Sequence, residues 1–294
     1  MKRRLSRVAG TMAALGLLAL PALAQDHSGA KVLPPAALAS AAIRQDMIRG
    51  VYETAEAPDL GALFVASTPS FDARTPGYVD LLDAADLRPI RRIELPRRAF
   101  ALAMDHKRGR LIVGNTLDGS LSVLDARSGV LLEVIQLGKP EGDGFEHTRM
   151  IEIDGESGRV FVSSPSEAGT LWIVDTAAGN AVTRIDDAGL WAAGLAHDPA
   201  SGRVYVSGGG MNEILIVDGR SGARVGTLST GDTTEPGQDA SKHFFINLAL
   251  DAKGERLFAA DANSGQLYVF DIASGKAVKT LSLIHISEPT RQEA

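Results

Sequence analysis

The chain has 294 residues, with 30 Lys and Arg against 36 Asp and Glu and a net charge of −6 at pH 7. That balance excludes the strong basic excess of a general nucleic-acid binder. The absence of cysteine excludes disulfides, thiol catalysis and thiolate metal sites. Aromatic residues make up only 5%, so a core has to be built from Val, Ile, Leu and Ala.

Residues 1–24 read as a secretory signal peptide. MKRRLSRVAG is basic, TMAALGLLALPA is a short apolar run, and the small residues Ala22 and Ala24 lead to cleavage after Ala24. The run is well short of the roughly 20 residues that a spanning helix needs, which weighs against a membrane anchor. Arg3-Arg4 lacks the fuller context of a twin-arginine signal. The expectation is an exported, periplasmic protein with no stable membrane span after cleavage. Residues 25–49 are rich in Ala and Pro with little periodicity, and both a linker and a short helix over 36–49 fit them.

From residue 50 onward a pattern repeats. Its first element is an alternating apolar strand that ends in Asp. The copies are GVYETAEAPD, AFALAMD, RMIEID, AAGLAHD and FINLALD. A second strand follows each: LGALFVAST at Leu60, GRLIVGN at Gly109, GRVFVSS at Gly158, GRVYVSGG at Gly202 and GERLFAAD at Gly254. The third is the clearest: YVDLLDAADL, LSVLDARSG, LWIVDTAAG, ILIVDGRSG and LYVFDIASG, anchored on Asp83, Asp125, Asp175, Asp218 and Asp271. A fourth, such as AVKTL, closes each unit. Period-two alternation with Val, Ile and Tyr predicts strands. The Asp-x-x-x-Gly segments predict turns, with Asp as the hydrogen-bonding turn former and Gly taking a positive φ. These acids are read as turn formers and not as paired catalytic carboxylates.

The anchoring acids lie 42, 50, 43 and 53 residues apart. Four antiparallel strands recurring every 40–50 residues predict an all-β fold, a β-propeller of four-stranded blades over 50–281. A β-sandwich does not account for a unit that returns five times. The two long spacings come from insertions at equivalent places, GKPEGDGFEH over 138–147 and GDTTEPGQDASKH over 231–243. Equivalent positions put both loops on one face of the disk, where a rigid scaffold carries its binding groups.

The V-x-D-x-x-x-G repeats resemble the YVTN-type β-propeller repeat family. The order of the loops, above all KHFFINLALD at 242–251, is similar to its YncE-like periplasmic branch. The resemblance covers about residues 50–281. It implies a seven-bladed propeller behind a signal peptide, a binding role, and an affinity for DNA proposed for some members. Only five units are present, so two blades of the implied seven are expected to be missing and the propeller to be incomplete.

The strand that opens each unit lies nearest the propeller axis, so the residues just ahead of it line the channel mouth. These are Arg97 and Arg98, Glu146 and His147, Leu190 and Trp191, and His243 and Phe244, with Arg149 close behind His147 and Lys242 ahead of His243. Such a set suits an anionic or aromatic ligand. Arg serves as a bidentate donor, and Trp191 and Phe244 serve as stacking surfaces. At least one of Phe244 and Phe245 is expected in the core, and His197, beside Asp198 at a turn, is expected to be structural.

Other chemistry has weaker signals. The long loops offer Glu141, Asp143, Glu146 and His147, and Asp232, Glu235, Asp239 and His243, as nitrogen and oxygen donors for a divalent ion. The best of these are Glu146, His147, Asp239 and His243, but no known ligand spacing is present. No nucleophile motif or phosphate loop occurs, so no catalytic residue is assigned and no cofactor is expected. A lactonase or a quinoprotein-like dehydrogenase remains an alternative on fold grounds alone. The leading expectation is a binding or scaffold protein for a small molecule, a protein or a cell-envelope component. The sharpest alternative is single-stranded DNA, held by a local patch of Arg97, Arg98, Arg149, Lys242 and Trp191.

The chain ends in LSLIHISEPTRQEA. Residues 281–291 match the translation of a transposase-type sequencing adapter at every position. Residues 282–294 are therefore expected to be a non-native tail, and His285, Glu288 and Arg291 are given no functional weight.

Overall fold

A computed structural model describes residues 46–72, 75–234, 238 and 240–283. The expected signal peptide, most of the 25–49 segment and the tail from residue 284 lie outside the described residues. Asp46 to Ile48 are irregular and Arg49 begins a turn, so the part of the 36–49 segment that is described is not helical. Among the described residues no helix is long and apolar enough to cross a membrane.

The described residues form five consecutive four-stranded antiparallel units. The first comprises β1 (Val51–Ala57), β2 (Ala62–Ser67), β3 (Gly77–Asp83) and β4 (Pro89–Leu95). The second comprises β5 (Ala101–Asp105), β6 (Arg110–Asn115), β7 (Ser120–Asp125) and β8 (Leu131–Gln136). A small hairpin, β9 (Pro140–Glu141) and β10 (Gly144–Phe145), occupies the first long loop. The third unit comprises β11 (Ile151–Ile153), β12 (Arg159–Ser164), β13 (Thr170–Asp175) and β14 (Ala181–Asp186). The fourth comprises β15 (Gly194–Asp198), β16 (Arg203–Ser207), β17 (Glu213–Asp218) and β18 (Arg224–Ser229). The fifth comprises β19 (Phe245–Asp251), β20 (Arg256–Asp261), β21 (Gln266–Asp271) and β22 (Lys276–Ser282). This is an all-β, propeller-type architecture.

The core lies between the blades. Four apolar layers alternate with the five units, and the period-two geometry of a strand assigns its residues to them. Leu111 and Val113 of β6 pack toward the first blade, while Ile112 between them packs toward the third. Val160 and Val162 face the second blade and Phe161 faces the fourth. Val204 and Val206 face the third blade and Tyr205 faces the fifth. A middle strand covered on both faces carries apolar residues without a break, which is why β6, β12 and β16 read as continuous runs. The fourth strands β8, β14 and β18 lie at the rim and are mostly exposed. Each fully buried Val, Leu, Ile or Phe contributes about 1.5–3 kcal/mol relative to an exposed one.

The anchoring acids make the turns expected of them. Asp125 Oδ1 accepts from the Ser128 amide at 2.7 Å, Asp218 Oδ1 from the Ser221 amide at 2.7 Å, and Asp271 Oδ1 from the Ser274 amide at 2.7 Å. Asp175 Oδ1 accepts from Ala177 and Ala178, and Asp83 Oδ1 from Ala85. The glycines that close these turns, Gly129, Gly179, Gly222 and Gly275, have φ between 66° and 75°, a region that costs a β-carbon-bearing residue more.

Successive blades are also latched by polar groups. Thr68 Oγ1 donates to Ala99 O at 3.0 Å, Ser163 Oγ to Ala193 O at 3.1 Å, and Ser207 Oγ to Phe245 O at 2.9 Å. Each hydroxyl sits near the end of a second strand and holds the backbone leading into the next blade. The fourth and fifth units are joined further, because β18 and β22 meet in parallel at Ser229 and Lys276 and merge two blades into one eight-stranded sheet.

Candidate functional site

The inner strands pack in chain order, β1 against β5, β5 against β11, β11 against β15, and β15 against β19. All of them begin at the same face, here termed the leading face. Its residues come from the segments just ahead of each inner strand and from the loops that follow each second strand.

Several of the sequence-expected site residues are committed to holding this face together. Arg98 is buried and pairs with Asp118 through Nη2 at 3.1 Å and Nε at 3.4 Å, while its Nη1 donates to Phe71 O at 3.0 Å. It joins the β2–β3 loop to the second blade. Arg97 Nη1 donates to Ser120 Oγ at 2.6 Å and to Gln136 Oε1 at 2.8 Å. Lys242 forms an ion pair with Asp232 at 3.2 Å.

His243 is 1% exposed. Its Nδ1 lies 2.9 Å from Asp261 Oδ2 and its Nε2 lies 2.9 Å from Asp232 Oδ2. The ring stacks on Phe245 and meets Tyr268 edge-on. Asp261 also accepts from Ser264 and from the amides of Phe244 and Asn263. Burial acts to raise the Asp261 pKa, but the bonds from His243 and the other donors hold it below the ordinary carboxylate value. Asp232 is held low by His243 first and Lys242 second. The arrangement is a clasp that anchors the 231–243 loop to the end of β20.

Glu146 plays a matching part in the other long loop. Both of its oxygens accept from Arg184 at 2.6 Å, and Oε2 also accepts from the Lys139 amide at 2.9 Å. The Arg184 bonds, with help from that amide, depress the Glu146 pKa below its ordinary value despite partial burial. Arg184 lies over the Trp172 ring, 5.7 Å from its centroid.

These engagements bear on the metal expectation. Among the described residues no three His, Asp or Glu side chains converge as ligands. Glu146 and His243 are saturated by protein partners, His147 is exposed, and Asp239 and Glu235 lie outside the described residues.

What remains open to a ligand is a smaller set. Arg149 is half-buried just ahead of β11, and its guanidinium makes only a 3.6 Å contact to the Met150 sulfur, with no carboxylate of the described residues in ion-pair range. Its charge acts on Glu53 of β1. Trp191 is 49% exposed and has φ +51°, a left-handed conformation that is an outlier for a bulky residue. Its amide donates to Ser166 O at 3.1 Å. Gly208 permits that turn, since a Cβ there would stand 2.1 Å from Leu190 O. Phe244 is half-buried and lies close against Gly209, where a Cβ would stand 2.4 Å from the ring. Phe245 is fully buried, so of the two adjacent phenylalanines it is the core residue. His197 packs on Phe161 with centroids 5.0 Å apart, and burial lowers its pKa.

Sequence reasoning missed two groups on this face. Tyr52 and Phe71 are 45% and 63% exposed, and both pack on the buried Phe100, with centroids 4.2 and 6.0 Å away. Phe71 sits in a loop with no repeat signature, so no pattern singled it out. The second group is a pair of channel acids. Glu53 Oε2 accepts from the Leu102 amide at 3.3 Å, and burial raises its pKa against the pull of that amide and of Arg149. Burial, and secondarily the Glu53 charge, raises Glu152 of β11 to about 7. Both acids sit among apolar residues of inner strands, where a single Glu reads as a solvated face.

No protein-family model matches the chain. It is 27% identical over 259 residues to the uncharacterized protein YncE of Salmonella typhi, covering 86% of this chain and 71% of that protein. It is 25% identical over 236 residues to the uncharacterized protein YncE of Escherichia coli K12, covering 79% of this chain and 65% of that protein. The similarity, with the propeller-type sheets, supports a YncE-like protein.

Proposed function

We propose that the protein is an exported binding propeller that takes its ligand on the leading face, and that the ligand combines an anionic group with a planar ring. The observation that carries this reading is the contrast among the cations there. Arg97, Arg98 and Lys242 are engaged by the protein itself, whereas the Arg149 guanidinium has no carboxylate partner among the described residues. A half-buried guanidinium of that kind is a ready receptor for a carboxylate or phosphate. Trp191, Tyr52 and Phe71 supply exposed ring faces on the same side of the blades. Export rests on the sequence features of residues 1–24.

The test is a binding screen of anionic aromatic compounds, read by tryptophan fluorescence and calorimetry. Arg149→Ala and Trp191→Ala are expected to abolish any signal found, while substitutions in the turns of the opposite face leave it intact. Equal loss from both faces would sink the proposal.

Single-stranded DNA is the second reading, favoured by the exposed Trp191, Tyr52 and Phe71 as base-stacking surfaces. It requires a basic track, and Arg149 is one cation in a chain of net charge −6. Affinity for an oligothymidine that falls steeply with salt and is lost in Arg149→Ala supports it. No binding at low salt removes it.

A further inference from the structure

The junction between the second and third blades holds a group of polar atoms that the protein does not satisfy. Thr116 Oγ1, Thr148 Oγ1, Ser164 Oγ and Trp172 Nε1 are buried and have no hydrogen-bond partner among the described residues. Seven such side-chain atoms occur among the described residues, and four of them belong to this one junction.

Their placement is set by the backbone. The Thr148 amide donates to Thr116 O at 3.1 Å, which puts the two threonines side by side across the blades. Arg149 N donates to Ser163 O at 2.7 Å and Ser163 N to Met150 O at 3.1 Å. This continues the β11–β12 ladder toward Thr148 and Ser164. Trp172 pairs with Val162 across β12 and β13, and Ser164 lies two residues along on the same face. That face belongs to the apolar layer between the second and third blades, which includes Trp172 and Val162. Gly114, two residues before Thr116, abuts the same layer, since a Cβ there would stand 3.1 Å from Ile151 Cδ1. Arg184, which holds Glu146 of the 138–147 loop, lies over the Trp172 ring.

We propose that this junction encloses an ordered water site. A hydroxyl or indole N–H buried dry forfeits its hydrogen bonds to bulk solvent, and native interiors seldom tolerate that at several neighbouring atoms. One water offers two donors and two acceptors. It accepts from Trp172 Nε1 and from one hydroxyl, and donates to the other two hydroxyl oxygens. The water ties Thr148 to the turn after β6, to β12 and to β13 at once. Thr148 immediately precedes Arg149, so the same site fixes the backbone from which the open guanidinium projects. Water is favoured over an apolar occupant because the four atoms are polar, and over a cation because no carboxylate is among them.

Two measurements on the full chain test this. A crystal structure resolved well enough to show ordered solvent is expected to show a density peak within hydrogen-bond distance of at least three of the four atoms. Thermal melting of Thr148→Val, an isosteric change that removes only the hydroxyl, is expected to fall by roughly 3–6 °C. Thr148→Ser, which keeps the hydroxyl, is expected to fall less. If the junction is dry, Thr148→Val removes an unsatisfied group and melting holds or rises. Either a dry junction in the density or an unchanged or raised melting point for Thr148→Val overturns the proposal. An anion in place of water would appear as a heavier peak and also overturns it.

Discussion

His243 Nδ1 lies 2.9 Å from Asp261 Oδ2, and neither side chain is exposed to solvent. The opposite ring nitrogen meets Asp232, so one imidazole joins the end of β20 to the 231–243 loop. Replacing His243 with Ala leaves Asp261 buried with fewer donors and frees the loop. The expected cost is about 2–4 kcal/mol in denaturant unfolding, with new proteolytic cleavage confined to 231–243. A variant as stable and as protease-resistant as the parent would rule out the clasp.

The same clasp has a pH signature. Asp232 has a folded pKa below its ordinary value, because His243 and Lys242 stabilise the carboxylate. Its contribution is therefore complete above the usual Asp range, about 3.9, and is lost as pH falls through the lower folded value. Asp232→Asn is expected to reduce stability at pH 6 and to match the parent at the acid end. A constant difference across the whole range would contradict this assignment.

Glu152 works in the other direction. Burial and Glu53 raise it to about 7 from 4.5, so the folded state holds its proton over a window where the unfolded chain has released it. Stability should fall as pH rises from about 4.5 to 7 and level off above that. Glu152→Gln removes the penalty, with an expected gain on the order of 1–3 kcal/mol at pH 8 and little change at pH 4. A loss at pH 8 would show that the ionised carboxylate has a partner in the channel.

Two arginines, one ahead of β5 and one ahead of β11, should separate cleanly. Arg98→Ala breaks a buried pair with Asp118 and frees the Phe71 loop, with an expected cost of about 2–3 kcal/mol. Arg149→Ala removes a guanidinium with no carboxylate partner among the described residues, and should stay within about 1 kcal/mol of the parent. Urea unfolding of both variants decides the matter, and the reverse order would assign the open cation wrongly.

Trp191 holds a left-handed backbone at φ +51° with its ring half in solvent. Gly at this position relieves the strain, so Trp191→Gly should unfold within about 1 kcal/mol of the parent or slightly above it. Gly208→Ala, whose Cβ would meet Leu190 O at 2.1 Å, should cost more than about 1 kcal/mol and disturb the Trp191 fluorescence. Large destabilisation by Trp191→Gly would mean that the ring is a packing residue.

The amino-acid order by itself determined the repeated four-stranded unit. Asp125, Asp175, Asp218 and Asp271 announce their turns locally, because an Asp side chain caps amides only two or three residues ahead, with Gly supplying the positive φ. The alternation of Val160, Phe161 and Val162 likewise follows from strand geometry, and it sorted those residues into separate layers. Which charges are spent and which stay open was decided only by the tertiary structure. Arg97, Arg98 and Arg149 are equivalent as residue types near the starts of inner strands, yet Ser120, Gln136 and Asp118, the partners of Arg97 and Arg98 alone, lie about 20 to 40 positions away. Side-chain pairing across blades depends on distances that no local pattern carries, so His243 became a clasp and Arg149 was left with no ion pair among the described residues. The Glu53 and Glu152 carboxylates come within electrostatic reach of each other for the same reason, since β1 and β11 are about 100 residues apart and both pack against β5 only once the blades are assembled.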